Sequence, residues 1–168
     1  IFGENIRTMR PQTRARIALL LEGHVQYAFM TIREIERFYS QYYPRWDARA
    51  YYGLMELLAV APGQRIARMS CGQRSQVALG LILAQNADLM ILDDLGTEMI
   101  TAYSTSALYT LINTRLTRKK ATIISTNCSN EELQKKYTPQ ILSRIAGEYQ
   151  TLPFAGRDIR QIKKEREA

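Results

Sequence analysis

Two adjacent carboxylates close a short apolar run, Leu89-Met90-Ile91-Leu92-Asp93-Asp94. Four apolar residues suit a buried strand, and the carboxyl end of a strand holds the next residues in place. The first carboxylate can then sit near a Mg²⁺ ion while the second orients or deprotonates an attacking water, a division of labour that phosphoryl transfer uses. The alternative is a strand that ends in a solvated Asp-Asp turn. Just upstream stands Ser70-Cys71-Gly72-Gln73-Arg74. A Ser hydroxyl and a Gly N–H at a helix N-terminus make a phosphate site, because free donors and the helix dipole converge there. The same residues also serve as an ordinary N-cap. Downstream, Thr122-Ile-Ile-Ser-Thr126 reads as a second buried strand, closed by Asn127. The single histidine, His24, reads as an incidental loop residue.

These side chains need elements to hold them. Ile17 to Leu21 is an apolar run suited to a buried strand. Thr31 and Glu34 have capping-box spacing, and Ile32, Ile35, Glu36, Phe38 and Tyr39 mark the adjoining helix, ended near Pro44. Asp47 caps a second helix reaching about Val60, with Tyr51, Leu54, Met55, Leu57 and Leu58 as its apolar face. Ser70 precedes an amphipathic helix over roughly 72–85, and a further helix spans Thr105 to Arg118. Ser129 caps a helix containing Glu131-Glu132, and Pro139 starts the next. Tyr149 to Phe154 reads as a late strand and Asp158 to Ala168 as a charged helix or tail. Buried strands alternating with helices predict an α/β fold with a mainly parallel sheet.

The chain has 168 residues, 46% of them hydrophobic and 23% charged, which provides a sizeable core and excludes a disordered tail, a fibre or a disulfide scaffold. Gln85, Asn86 and Asp88 interrupt the longest apolar stretch, so it does not read as a membrane span. No signal-peptide pattern opens the chain, and its first residue, Ile1, is what a fragment of a longer chain would show. Cys71 and Cys128 fit a reducing cytoplasm. The net charge of +7 allows an acidic partner such as nucleic acid, nucleotide or anionic lipid. It is unevenly spread. Residues 1–94 carry +2 through arginine alone, whereas residues 95–168 carry +5 and every lysine.

The run from Ser70 through Asp94 resembles the signature helix and Walker B strand of ABC-type ATPases. Upstream, Glu22-Gly23 to Met30-Thr31 and Phe38-Tyr39 to Tyr43-Pro44-Arg45-Trp46-Asp47 resemble that family's Q-loop and helical subdomain, with Glu22 at the usual Gln position and Cys71 where Gly is usual. The resemblance covers residues 1–94 and places the helical subdomain at about 27–71. It implies Mg²⁺ on Asp93, water activation at Asp94, and nucleotide contacts from Glu22, Ser70, Gly72 and Gln73. Past the carboxylates it stops: Leu95-Gly96-Thr97-Glu98-Met99 is not the family's D-loop, and Asn127 stands where its switch His belongs.

Residues 89–168 resemble instead the C-terminal half of DnaC/IstB-like helicase loaders of the AAA+ class. The matching segments are Asp93 to Glu98, Ala107 to Arg115, Thr122 to Asn127, Glu131 to Leu133, Ser143 to Glu148, and Leu152-Pro-Phe154 with Asp158-Ile-Arg160. That resemblance implies a sensor-1 role for Asn127, an arginine finger in Arg144 and a sensor-2 role for Arg160. Strand-end amide and surface ion pairs are the plainer readings of the same residues. The two resemblances meet at Asp93-Asp94, so the chain reads as a chimera of a 1–94 segment and a 95–168 segment.

Both families carry a P-loop, whose Gly-rich backbone, Lys and Ser/Thr hold the phosphates and Mg²⁺. This sequence has no lysine before Lys119 and no Gly-x-x-x-x-Gly-Lys-Ser/Thr. The expected fold is therefore a P-loop NTPase-like parallel sheet, incomplete in lacking the P-loop strand, with an inserted helical subdomain. The expected function is an ATPase module, weak or inactive without Walker A, acting on ATP and Mg²⁺ as a homo-oligomer or with a second ATPase subunit. Two alternatives stay open. One is a non-enzymatic module that binds single-stranded DNA or a replicative helicase through Lys119-Lys120, Lys135-Lys136 and Lys163-Lys164, with Tyr103, Tyr109 and Tyr137 as stacking or core residues. The other is the nucleotide-binding part of an exporter, with Tyr39, Tyr42, Tyr43 and Trp46 lining a groove for a membrane permease subunit. The expected location is cytoplasmic, or peripheral at the inner face of the membrane.

Overall fold

The computed structural model describes residues 1–20, 27–96, 102–154 and 156. Three strands, β1 (Ile17–Leu20), β2 (Leu89–Leu92) and β3 (Ala121–Ile124), pair in parallel in that spatial order. The register sets Ile17 beside Leu89 and Leu89 beside Ala121. A short helix, α1 (Pro11–Arg14), leads into β1. Between β1 and β2 come α2 (Ile32–Ser40), α3 (Ala48–Leu57), a 3-10 turn at Ile66–Arg68, and α4 (Cys71–Ala84). The helix α5 (Ala102–Thr117) joins β2 to β3, and α6 (Asn130–Lys136) and α7 (Pro139–Glu148) come after β3. The expected α/β fold with a parallel sheet is what the chain adopts.

Helix starts are set by the side chains that satisfy their free N–H groups. Thr31, Ser70 and Ser129 each form a reciprocal capping box with the residue three positions on, and Asp47 accepts from the Ala50 N–H at 2.9 Å. Within the core, α4 packs between α3 and α5. Gly80 permits the close approach to α3, since a Cβ there would lie 2.6 Å from Met55 Cε. The expectation of an amphipathic α4 is corrected: Gly72 and every residue from Gln76 to Ala84 are buried, because both sides are covered by helices. Leu57 is also corrected. It points away from the α3 core face and is 62% exposed.

Parallel strands need crossover connections, and two right-handed crossovers that step in the same direction place their helices on the same sheet face. Ala18, Met90 and Leu92 are buried on that face, while Leu19 and Ile123 on the other are 44% and 52% exposed. The expected fully buried strands are thus buried on one side only. The late strand expected over Tyr149 to Phe154 is absent, and those residues are irregular; Pro153 lacks the N–H that a ladder requires. The segment Asp158 to Ala168 lies outside the described residues. The amino ends of the strands are tied by Asp88, whose carboxylate accepts from Arg16 Nε at 2.7 Å and Arg45 Nη1 at 2.8 Å, with Lys120 Nζ at 3.4 Å.

Candidate functional site

At its carboxyl end β2 delivers Asp93 and Asp94, and the register of β3 brings Ser125 alongside them. Backbone bonds continue past both strands: Asp93 N–H donates to Leu20 O at 2.9 Å, Ser125 N–H to Leu92 O at 2.9 Å, and Leu95 N–H to Ser125 O at 2.8 Å. The Ser125 hydroxyl then links the two acids. It donates to Asp93 Oδ1 at 2.7 Å and accepts from the Asp94 N–H at 3.0 Å. Asp94 has φ +53°, a left-handed conformation that Asp tolerates better than most residues. Asn127 Nδ2 donates to Asp94 Oδ1 at 2.9 Å, and Thr126 Oγ1 donates to Leu95 O at 2.6 Å.

Asp93, Asp94 and Asn127 therefore meet, as three of the residues singled out from sequence. Sequence reasoning misses Ser125. Only the inter-strand register shows that it faces the acids.

The other candidates stand apart from this cluster or are otherwise engaged. Ser70 Oγ accepts from the Gln73 N–H at 3.2 Å, and Gln73 Oε1 accepts from the Ser70 N–H at 3.1 Å, so both side chains cap α4. Gly72 is buried in its first turn. Arg144 forms no ion pair among the described residues; its guanidinium lies 5.3 Å from the Tyr109 ring centroid and donates to the Tyr109 hydroxyl at 3.2 Å. Tyr137 is buried and Lys120 is engaged by Asn86 O and Asp88, while Tyr109 is half-buried and Lys135 is exposed. Glu22, His24, Arg160, Lys163, Lys164 and the side chain of Tyr103 lie outside the described residues. The aromatic residues expected to line a groove belong to a chain of ring contacts running Tyr27–Phe38–Tyr39–Tyr43–Trp46–Tyr51–Tyr52, with Tyr39 and Trp46 packed against the core and Phe29 and Tyr42 branching outward to solvent. Glu36 anchors it, accepting from Trp46 Nε1 at 2.8 Å and from the Tyr52 hydroxyl at 3.3 Å.

The Asp93–Ser125 pair offers hard oxygen donors, and Mg²⁺ is held by one or two carboxylates with water completing its shell. Asp93 keeps Oδ2 without a hydrogen bond among the described residues, so it can hold such an ion. No group of three or more His, Cys, Asp or Glu converges among the described residues, so no all-protein metal cage is formed among them. The phosphates of a nucleotide find no matching cradle, since the sequence carries no Gly-rich loop ending in Lys and Ser/Thr. The residues fit the metal end of a nucleotide site and not its phosphate end.

Three solved structures that the chain resembles are ATP-binding proteins. An ATP-binding subunit of an ABC transporter superposes with a TM-score of 0.65 at 22% identity, over 82% of this chain and 58% of that one. An ATP-binding protein assigned to cobalt transport superposes at 0.57 and 17% identity, over 82% and 51%. An ATP-binding protein assigned to an ABC transporter of Pyrococcus furiosus gives 0.57 and 16% identity, over 70% and 60%. At these identities the likeness concerns the fold, and the chain spans less than two thirds of each of these three structures. No curated protein matches the chain. No described helix is long and apolar enough to cross a membrane. The ABC transporter family profile matches residues 1–96, more than half of the 168, and the chain belongs to the ABC transporter ATP-binding family.

Proposed function

We propose that this chain is an ABC-type ATPase module that holds the carboxylate end of a nucleotide site and, lacking its own phosphate cradle, binds and turns over ATP weakly or not at all by itself. The carrying observation is the Asp93–Ser125–Asp94–Asn127 network, set at the carboxyl end of the sheet in a sequence without a P-loop lysine. Each missing charge-assisted hydrogen bond is worth about 1.5–3 kcal/mol, and a P-loop supplies several. Asp93 is the metal residue in this reading and Asp94 the water-orienting one. Glu22, Ser70, Gly72 and Gln73 complete the ABC-type nucleotide contacts, with Ser70 and Gly72 acting on a second subunit's nucleotide.

Residues 95–168 are read as a helicase-loader-like segment of the DnaC/IstB type. The placement of Asn127 against Asp94 supports its sensor role; Arg144 as arginine finger and Arg160 as sensor 2 rest on sequence resemblance. The test is a thermal melt of the 168-residue chain with and without millimolar Mg²⁺-ATP. A ligand at 100 times its Kd stabilises the native state by about 2.7 kcal/mol. A cooperative melt without a shift is the expected result. An upward shift removed by Asp93→Asn would overturn the claim that the cradle is indispensable.

A second reading, docking to a membrane permease subunit, is favoured by one observation. Phe29 and Tyr42 are 67% and 62% exposed at the outer end of the aromatic chain. Retention on vesicles carrying that subunit, lost in Phe29→Ala/Tyr42→Ala, is the outcome this reading requires.

A further inference from the structure

Between α5 and the junction of α6 with α7 lies a cleft of about 680 Å³, in the usual range for small-molecule sites (~300–1,000 Å³). Its lining includes Ser106 and Tyr109 from α5, and Lys135, Lys136, Thr138 and Gln140 from the junction. Among the described residues no carboxylate lines it. Lys135 makes no hydrogen bond or ion pair among the described residues. Lys136 donates to Gly96 O and lies 3.5 Å from Cys128 Sγ, neither of which lines the cleft, so Lys135 is the lysine available to a ligand. Of the two acids on α6, Glu132 accepts from the Ser129 N–H at 2.7 Å, and that bond holds its carboxyl below the usual range; neither it nor Glu131 lines the cleft. The Thr138 hydroxyl forms no cap bond to α7, and the Tyr109 hydroxyl, accepting from Arg144, keeps its own proton to donate.

We propose that this cleft binds a phosphate ester of a small molecule. The Lys135 ammonium, with no partner among the described residues, supplies positive charge for a phosphate, and the hydroxyl and amide groups of the lining suit its several oxygens. Among the described residues the lining comes from two short segments, 105–109 and 135–140, a compact patch the size of a small ligand. Neither Asp93 nor Asp94 lines the cleft, so the site stands or falls independently of the ATPase reading.

The experiment is calorimetric titration with inorganic pyrophosphate and with AMP in low-salt buffer containing EDTA, which keeps metal binding at the carboxylate pair out of the measurement. Saturable binding is expected. Lys135→Ala should weaken it about tenfold, the scale of one charge-assisted hydrogen bond, and Lys135→Arg should restore most of it. Because Lys135 holds no other group among the described residues, the melting temperature of the variant should match the parent's, which separates loss of binding from loss of fold. Absence of saturable binding by the parent chain overturns the proposal. So does unchanged affinity in Lys135→Ala/Thr138→Val, or binding of a single-stranded oligonucleotide without binding of pyrophosphate or AMP.

Discussion

Replacing Arg115 with methionine removes a cation that sits between the amino ends of β2 and β3. The residue is 4% exposed. Its Nη1 donates to Ala87 O at 2.6 Å, its Nη2 to Asp88 O at 3.2 Å and to Ala121 O, and its Nε to Thr122 Oγ1 at 3.2 Å. Methionine fills much of the volume but leaves three carbonyls without this donor, at about 1–3 kcal/mol each where water cannot replace it. Against that gross cost of roughly 3–9 kcal/mol stands the desolvation of the guanidinium, which burial makes harder to keep charged and which the substitution relieves. The net loss expected is about 3–5 kcal/mol, a large part of the ~5–15 kcal/mol that holds a domain of this size. Equilibrium urea unfolding at pH 7 measures it. An unchanged m-value would show that the midpoint shift reports stability. Lysine at the same position keeps the charge but reaches fewer carbonyls, so Arg115→Lys should fall between parent and methionine. A loss under about 1 kcal/mol in Arg115→Met would refute the reasoning, because water or relaxation would then satisfy the carbonyls.

Three smaller tests probe other joints. Asp88 is held well below the usual carboxylate range, first by the hydrogen bond from Arg45 and then by Arg16 and Lys120. Its stabilising effect is present above the unfolded pKa of about 3.9 and is lost as pH falls through the folded value. Asp88→Asn should therefore cost about 1 kcal/mol at pH 7, discounted for partly exposed partners, and the gap to the parent should narrow in melts run below about pH 4. Gly96 has φ +100°, and a Cβ there would lie 2.7 Å from Cys128 Sγ. Gly96→Ala should cost about 1–3 kcal/mol by thermal melt, and adding Cys128→Ala should recover only the contact and not the backbone strain. Thr31→Ala removes one half of a capping box and should cost about 1 kcal/mol by urea unfolding.

Legible in the sequence are the features that a few neighbouring residues encode. Thr31-x-x-Glu34, Ser70-x-x-Gln73 and Ser129-x-x-Glu132 each announce a helix start, and each is formed. The run Leu89 to Leu92 with its terminal acids identifies a strand and the carboxylates at its end. Hidden features depend on contacts between distant segments. Ser125 looks like a residue inside a strand, and only pairing with β2 sets its hydroxyl between Asp93 and Asp94. Leu19 and Ile123 have the composition of buried strand residues; their exposure comes from the common direction of the two crossovers, which composition does not carry. Arg144 belongs to a pattern that suggests an arginine finger, yet the fold lays it on Tyr109, 35 positions away.

The exposed sheet face and the missing cradle bear on the same question. Parallel sheets are ordinarily covered on both faces, and here β3 is an outer strand whose Ile123 side is bare among the described residues. A P-loop is a strand-to-helix turn, so residues able to hold phosphate would also bring a strand and a helix to this sheet. A segment that supplied the cradle would cover apolar strand surface as well as hold phosphate, so the two effects are expected together. The melt with Mg²⁺-ATP reads the nucleotide affinity of the chain directly. If the chain nevertheless bound nucleotide at millimolar concentration, the sheet's carboxyl end, with Asp93 and Asp94 pinned through Ser125, would have to supply the affinity without backbone donors wrapped around the phosphates. Two carboxylates repel a polyphosphate unless a cation stands between them, so that affinity would vanish in EDTA. Metal dependence therefore distinguishes a corner of a site that works through its ion from a scaffold that binds no nucleotide at all.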